Sequence, residues 1–541
     1  MSSRGDLAVS PIDGRSARRW LFAIVLIALA LYTASIDTTA AWDDSLVYLV
    51  GAKSLAEGHG YRLLNLPGAP PLRMYPPAFP AVLSLLWRLA PDYPSNLPWL
   101  KSVGVVGAAA FALLSARLLW TRDRQRSLVL AAVAMLLVHS DVVQLAGSTV
   151  FSDLAFAALV AAALVLLRRE LDEPSDGLSL RTVALSVVVA MGILTRALGV
   201  VPWLVSVAWL GGRRAWRRAA LVGAAGVLAC SWFALAASGR VGPPKRVWMY
   251  GGMTSYSDMY RYRGEADGTL SARSPVEIAT AAVRQEIAGT WYVVREGLAL
   301  GRTGWWLERL AKSPAGIVRA AALLAGLLAA ALTLAGAVMD WRSHPEPLHV
   351  ALAVTWLVAA TLPASAIALP RYVLPFGVFL NFFFLLALRR SLERVLGWPA
   401  ARATVAVVAT ALALVALNLA FAARHIFNLH GPGSPRGTYY ATVAQRRDAL
   451  RWIDTHVGRD ELVAAHYAGE VYLVTGRHAE PFVTGSIPDL RGDGVRWVLA
   501  GVDDHEDASA ALAAVGAAEQ WRSREGRFRI YALPPRIASG P

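Results

Sequence analysis

The sequence predicts an α-helical polytopic membrane protein with a small C-terminal extracytoplasmic α/β domain, and three observations predict it. Hydrophobic residues make up 56% of 541 positions and the mean hydropathy is +0.44, too apolar for a soluble chain of this length. Apolar runs recur through residues 20–421, several reaching the roughly 20 residues that a helix needs to cross hydrocarbon. From residue 422 onward the pattern changes to short helical and strand-like segments.

Taken in order, residues 1–19 form a cytoplasmic tail whose Arg15, Arg18 and Arg19 precede the first run, 20–36. Small residues at Thr39-Ala40-Ala41 leave signal-type cleavage open as an alternative, and in either case the segment that follows lies on the far side. Further runs cover 97–116, 127–138, 148–167, 182–194, 197–210, 217–237, 314–338, 347–369, 372–388 and 400–421. The positive-inside rule then tests the count. Arg117, Arg122, Arg124 and Arg126 share one loop, Arg168, Arg169 and Arg181 the next, Arg213, Arg214, Arg217 and Arg218 another, and Arg389, Arg390 and Arg394 a fourth. With the N-terminus inside, every cluster lands inside, provided that residues 182–210 split into two segments near Thr195-Arg196-Ala197-Leu198-Gly199. The expectation is about eleven membrane segments, a cytoplasmic N-terminus and an outer C-terminus, in the inner membrane of a bacterial cell, given the Arg-over-Lys and Ala-rich usage.

Three pieces fall outside. The first external loop, 37–96, carries a helix over about 44–57 and an apolar stretch, 78–90, too short to cross and suited to lie along the interface. A long loop, 240–312, is rich in aromatic residues, among them Trp248, Tyr250, Tyr256, Tyr260, Tyr262, Trp291, Tyr292, Trp305 and Trp306. Such rings sit at headgroup level or stack on sugars. Residues 422–541 read as an α/β domain with a helix through Val443, Leu450, Ile453 and Val457, strands at 462–465, 495–502 and 527–533, and an Ala-rich helix at 508–520. It has no phosphate loop, glycine fingerprint or metal-ligand spacing, so its expected role is accessory.

Composition narrows the function. The +15 net charge is spread in short clusters between apolar runs, so it reports topology and not a nucleic-acid partner. A single cysteine, Cys230, rules out an intrachain disulfide and a cysteine metal cluster. The chemistry-bearing residues gather at outer ends. Asp43 and Asp44 follow the first membrane segment, where an interfacial carboxylate costs far less than the roughly 2.5–3.5 kcal/mol charged at the bilayer centre. Asp153 tops a later segment, as a catalytic group or as a helix-capping aspartate. Arg196 and Arg371 are lone arginines in outward turns, either phosphate-binding or snorkelling to the interface. His139 and Asp141 share the outer side and are the candidate ligands if a divalent metal ion takes part, a surface histidine being the alternative.

These motifs together resemble the GT-C glycosyltransferases, the broad group that includes protein O-mannosyltransferases and the aminoarabinose transferase of lipid A. The resemblance spans about residues 20–425 and rests on the acidic pair with Tyr48 close behind, the run from Ala52 to Tyr61, Tyr75-Pro76-Pro77, Phe151-Ser152-Asp153, Leu194-Thr195-Arg196 and Arg371-Tyr372. It implies a sugar donor on polyprenyl phosphate, transfer with inversion to an extracytoplasmic lipid, glycan or protein, and a catalytic aspartate in the first external loop. Spacing from Gly58 favours Asp43 and spacing from Tyr48 favours Asp44, so both stand, with Asp153 as the second acidic position. Arg196, Arg371, Tyr372 and Arg73 are the implied donor-phosphate residues, and Tyr48, Tyr75 and His59 the implied substrate contacts. One departure is Tyr75, which stands where aminoarabinose-transferase-like members place a lysine before Pro-Pro. The competing class is a transporter or flippase of lipid-linked envelope precursors, but no paired repeats with interrupted helices are visible. A third class, an envelope scaffold, leaves so many membrane segments without a purpose.

Overall fold

The computed structural model describes residues 13–36, 43–120, 126–172, 177–238, 262–264, 270–296, 315–361, 369–430, 437–482, 486–490, 492–501 and 508–535. The chain opens with α1 (Gly14–Ala34), capped by Asp13, whose carboxylate accepts from the amides of Arg15 and Ser16. Ala17, Leu21, Val25, Ala28 and Tyr32 recur at helical spacing and are buried, while Trp20, Phe22 and Ile27 face outward. An apolar outer face is what lipid demands. Next come α2 (Asp43–Ala56) and α3 (Ala78–Leu89) of the first loop, then α4 (Leu97–Leu119). The carbonyls that end α2 are met by Arg88 of α3, which donates to Leu55 O at 3.2 Å and Ala56 O at 3.3 Å.

The run at 127–138 forms α5 (Arg126–Leu137), followed across a 58° bend by α6 (Ser140–Gly147). Tyr32 Oη donates to Leu137 O at 2.7 Å, taking up a carbonyl that the bend frees. Then come α7 (Asp153–Asp172), α8 (Leu180–Thr195), α9 (Val200–Gly212) and α10 (Trp216–Ser238). The expected split of 182–210 is present. Arg196 is extended, a single 3-10 turn covers Ala197–Gly199, and the chain folds back so tightly that a Cβ at Gly199 would lie 2.3 Å from the carbonyl carbon of Gly192.

In the long loop the described residues form a hairpin, β1 (Tyr262–Gly264) with β2 (Leu270–Ala272), and a helix the sequence did not suggest, α11 (Pro275–Glu296). Trp248, Tyr250, Tyr256, Tyr260, Trp305 and Trp306 lie outside the described residues, as do the side chains of Tyr262, Trp291 and Tyr292. The bundle ends with α12 (Gly316–Ser343), α13 (Pro347–Thr361), the short α14 (Leu369–Val373), α15 (Gly377–Arg394) and α16 (Ala400–His430). Most of the apolar runs read from the sequence fall in a helix of their own; the run at 347–369 is described only through Thr361 and again at Leu369, and the run at 372–388 starts in α14 and passes through a 3-10 turn, Leu374–Phe376, into α15. Among the described residues, six helices are long and apolar enough to cross a membrane, or seven if α5 and α6 count as one broken span. The other expected segments are α7 and the shorter α8, α9 and α13. The protein is a multi-pass membrane protein.

The basic helix ends meet one another. Arg126 approaches Gly14, Arg168 donates to Leu118 O and pairs with Glu346, and Arg218 pairs with Glu170 at 3.0 Å. Glu170 also accepts from Ser179 and Thr182, so this buried pair is fully hydrogen-bonded.

The C-terminal domain begins with α17 (Gly437–His456) and contains β3 (Leu462–Ala465), α18 (Ala468–Thr475), β4 (Ala479–Glu480), α19 (Ile487–Leu490), β5 (Val495–Gly501), α20 (Ser509–Ala514), β6 (Ala518–Arg522) and β7 (Phe528–Ala532). The sheet order is β4-β3-β5-β7-β6, parallel across β4, β3 and β5 and antiparallel across β5, β7 and β6. Leu499 and Ile530 pack under α17, whereas Val498 and Tyr531 pack with Leu512 of α20 on the other face. The helix expected at 508–520 stops early. Gly516 turns the chain at φ +74°, a conformation that glycine adopts without cost, and 518–522 pairs with β7 as a strand.

Gly199→Val should open the α8–α9 turn, because its side chain would enter the backbone of Gly192 and Ile193, whereas Gly212→Ala has open space. The expected result, in detergent thermal unfolding, is a loss above the about 1–3 kcal/mol typical of overpacking for Gly199→Val and no change for Gly212→Ala.

Candidate active site

Four chain segments meet where helices begin, end or break. The first turn of α2 supplies Asp44, where a carboxylate is favoured by the helix dipole, and one turn on it supplies Tyr48. The segment leading into α7 supplies Phe151, Ser152 and Asp153; the break between α8 and α9 supplies Arg196; and α14 supplies Arg371 and Tyr372. Tyr75 reaches in from the loop before α3.

Asp153 is the hub. Only 1% exposed, it accepts from Arg371 Nη2 at 2.9 Å and Nε at 3.3 Å, and its Oδ1 is in contact with Arg196 Nη1. Arg371 also reaches Asp44 Oδ2, with both terminal nitrogens at 3.5 Å. Asp44 Oδ1 accepts the Tyr75 hydroxyl at 2.7 Å. The two guanidinium groups rest on aromatic faces, Arg371 over Phe151 at 4.2 Å and Arg196 over Tyr372 at 5.4 Å. Tyr48 packs against Tyr75 and Phe79, and its hydroxyl is 3.0 Å from Ser152 Oγ. Ser45 Oγ accepts from Val150 N at 3.1 Å, tying α2 to the chain just before Asp153.

Most of the residues singled out in the sequence therefore converge: Asp44, Asp153, Arg196, Arg371, Tyr372, Tyr48 and Tyr75. The side chain of Asp43 lies outside the described residues. Four others, Arg73, His59, His139 and Asp141, stay apart. Arg73 is half-buried and joins none of these contacts. His59 lies beyond the far end of α2, about 20 Å along its axis, exposed and 3.8 Å from Glu57. His139 caps α6 by accepting from the amide of Asp141 at 3.1 Å. Ser45, Phe151 and Ser152 are members that the sequence did not single out as site residues. Their signal was adjacency to Asp44 and Asp153.

No protein-family model matches the chain, and no curated protein matches it. Solved structures do. ArnT from Cupriavidus metallidurans is similar in its apo state with a TM-score of 0.52 and 14% identity over 97% of this chain and 100% of that one. The same protein bound to undecaprenyl phosphate gives 0.56, at 14% identity over 97% and 99%. The oligosaccharyltransferase of Archaeoglobus fulgidus, in complex with Zn and sulfate, gives 0.55 at 13% identity over 94% of this chain and 73% of that one. This chain has the GT-C fold. In this instance of the GT-C fold, the described residues do not suit a metal ion at the cluster. Asp44 and Asp153 both point at the Arg371 guanidinium, so a side chain supplies the cation between them, and no group of three His, Cys, Asp or Glu that could hold a metal occurs among the described residues.

Asp153→Asn should strand two arginines in a poorly hydrated site and cost about 3–5 kcal/mol. Asp44, whose side chain is 24% exposed with Arg371 at 3.5 Å, should cost under about 1 kcal/mol as Asp44→Asn. Thermal unfolding of the two variants side by side checks this ranking.

Proposed function

We propose that this protein is an integral-membrane glycosyltransferase that moves a sugar, with inversion, from a polyprenyl-phosphate donor to an extracytoplasmic acceptor, with Asp44 as base. One observation carries the reading: on a GT-C fold, a partly exposed carboxylate, Asp44, stands beside Arg371, and a second, buried carboxylate, Asp153, holds both Arg371 and Arg196 in place. The ArnT structure bound to undecaprenyl phosphate supports the lipid-phosphate part.

Asp44 takes the proton of the acceptor hydroxyl while that oxygen attacks the anomeric carbon from the face opposite the phosphate. The C1–O bond breaks and its electron pair leaves with the lipid phosphate. A phosphate leaving group needs positive charge more than a proton, which Arg371 and Arg196 supply as planar paired donors. Arg371 is bonded to Asp153 at 2.9 Å and to Asp44 only at 3.5 Å, so exchanging its Asp44 contacts for a phosphate while keeping Asp153 loses little. Tyr75 engages Asp44 Oδ1, and Oδ2, which Arg371 reaches only at 3.5 Å, is the oxygen assigned to the acceptor proton. Asp153 is a positioning residue. The meeting of the basic helix ends away from this cluster supports an N-terminus in the cytoplasm and an outer face for the site, by the positive-inside rule.

The test is sugar transfer in membranes from a synthetic polyprenyl-phosphate sugar. Asp44→Asn should lower kcat by about 10²–10⁴-fold at normal protein abundance. Arg371→Ala should raise the donor KM. Wild-type turnover in Asp44→Asn would remove the proposed base.

A further inference from the structure

The same helix that carries Asp44 is gripped from behind by the C-terminal domain. Along α2, Asp44 and Tyr48 lie four residues apart on one face, and Leu46 and Val50 lie about 200° around on the opposite face. That opposite face receives α18. The approach is so close that a Cβ at Gly469 would sit 3.0 Å from Leu46 Cβ, 3.6 Å from Val50 Cγ2 and 3.7 Å from the Leu46 carbonyl oxygen. Leu473, one turn further along α18, is buried in the core of the membrane bundle and not in that of its own domain.

A second contact lies at the sheet edge. Beyond β4 no further strand pairs with the sheet among the described residues, and Asn65 of the first loop takes that place. Ala479 N donates to Asn65 O at 2.7 Å, and Asn65 Nδ2 donates to Ala479 O at 3.2 Å, so one residue satisfies both backbone groups of the edge. Asn65 is 6% exposed, and the ring of His478 lies 3.2 Å from Leu64 O. The domain thus holds both the helix that bears the carboxylate and the loop that returns from it toward Tyr75.

Resting on the function proposed above, the geometry points to the C-terminal domain as a positioning element of the active site: α18, through Gly469, and the β4 edge, through Asn65, fix α2 so that Asp44 meets Arg371 and Tyr75. This gives residues 422–541 a part in the chemistry in place of a detached accessory role. Gly469 and Asn65 are positioning residues, since neither touches the reacting groups.

The experiment compares Gly469→Leu and Asn65→Ala, which break the seam from its two sides, with Leu512→Ala, which weakens the far side of the domain. Per folded protein, both seam variants should lose about 10- to 100-fold in kcat, the scale of an ångström's misplacement, with donor KM within twofold. Leu512→Ala should keep wild-type kcat. Hydrogen exchange along α2 gives a readout free of any assumed reaction: it should quicken in both seam variants and not in Leu512→Ala. Wild-type kcat with unchanged α2 exchange in the seam variants would overturn the inference, and so would an equal loss in Leu512→Ala. Faster α2 exchange in the seam variants of a protein whose wild type transfers no sugar would uphold the seam and overturn the proposed reaction.

Discussion

One buried charge holds together the helix ends and breaks that form the candidate site. Asp153 has almost no contact with water and is balanced by two guanidinium groups arriving from different parts of the chain, Arg196 from the α8–α9 break and Arg371 from α14. A carboxylate so enclosed is tolerable only if it is paired and hydrogen-bonded. Each arginine in turn has an aromatic face beneath it, which fills the space that water would otherwise take. The α7 tip, the α8–α9 turn and α14 are therefore locked to one another by charge, and the tight backbone approach at Gly199 lets the turn reach the hub.

Asp44 stands differently. Its contacts to Arg371 are long, its side chain is partly exposed, and Tyr75 holds only one of its oxygens. Two carboxylates that share the Arg371 guanidinium thus have separate physical situations: one buried and closely paired, the other partly exposed and loosely paired. The division follows from burial, not from residue type, and it underlies the roles proposed for the two residues.

The α2 helix, read from the sequence as a short helix outside the membrane runs, is held on both sides. Ser45 and Tyr48 tie its front to the residues just before α7. Leu46 and Val50 bring its back against α18, and Arg88 closes its C-terminal carbonyls. A carboxylate placed on a helix so fixed has little freedom to lose on binding.

The sequence by itself determined the class of protein, because hydrocarbon requires long apolar helices and because arginine placement follows the membrane potential and insertion machinery, both of which are written in composition and order. It also marked Asp44, Asp153, Arg196 and Arg371 at the ends of apolar runs, since charge at membrane depth is rare. Tertiary structure alone decided the pairing. Asp153 and Arg371 are 218 residues apart in the chain, and nothing in spacing says that one guanidinium serves both Asp44 and Asp153. It also decided that His59, Arg73, His139 and Asp141 stand outside the cluster, because helix direction and bends, not proximity in sequence, set where a side chain ends. The β-strand at 518–522 and the seating of α18 on α2 were illegible for the same reason: a strand is defined by its partner, and a helix face by what covers it.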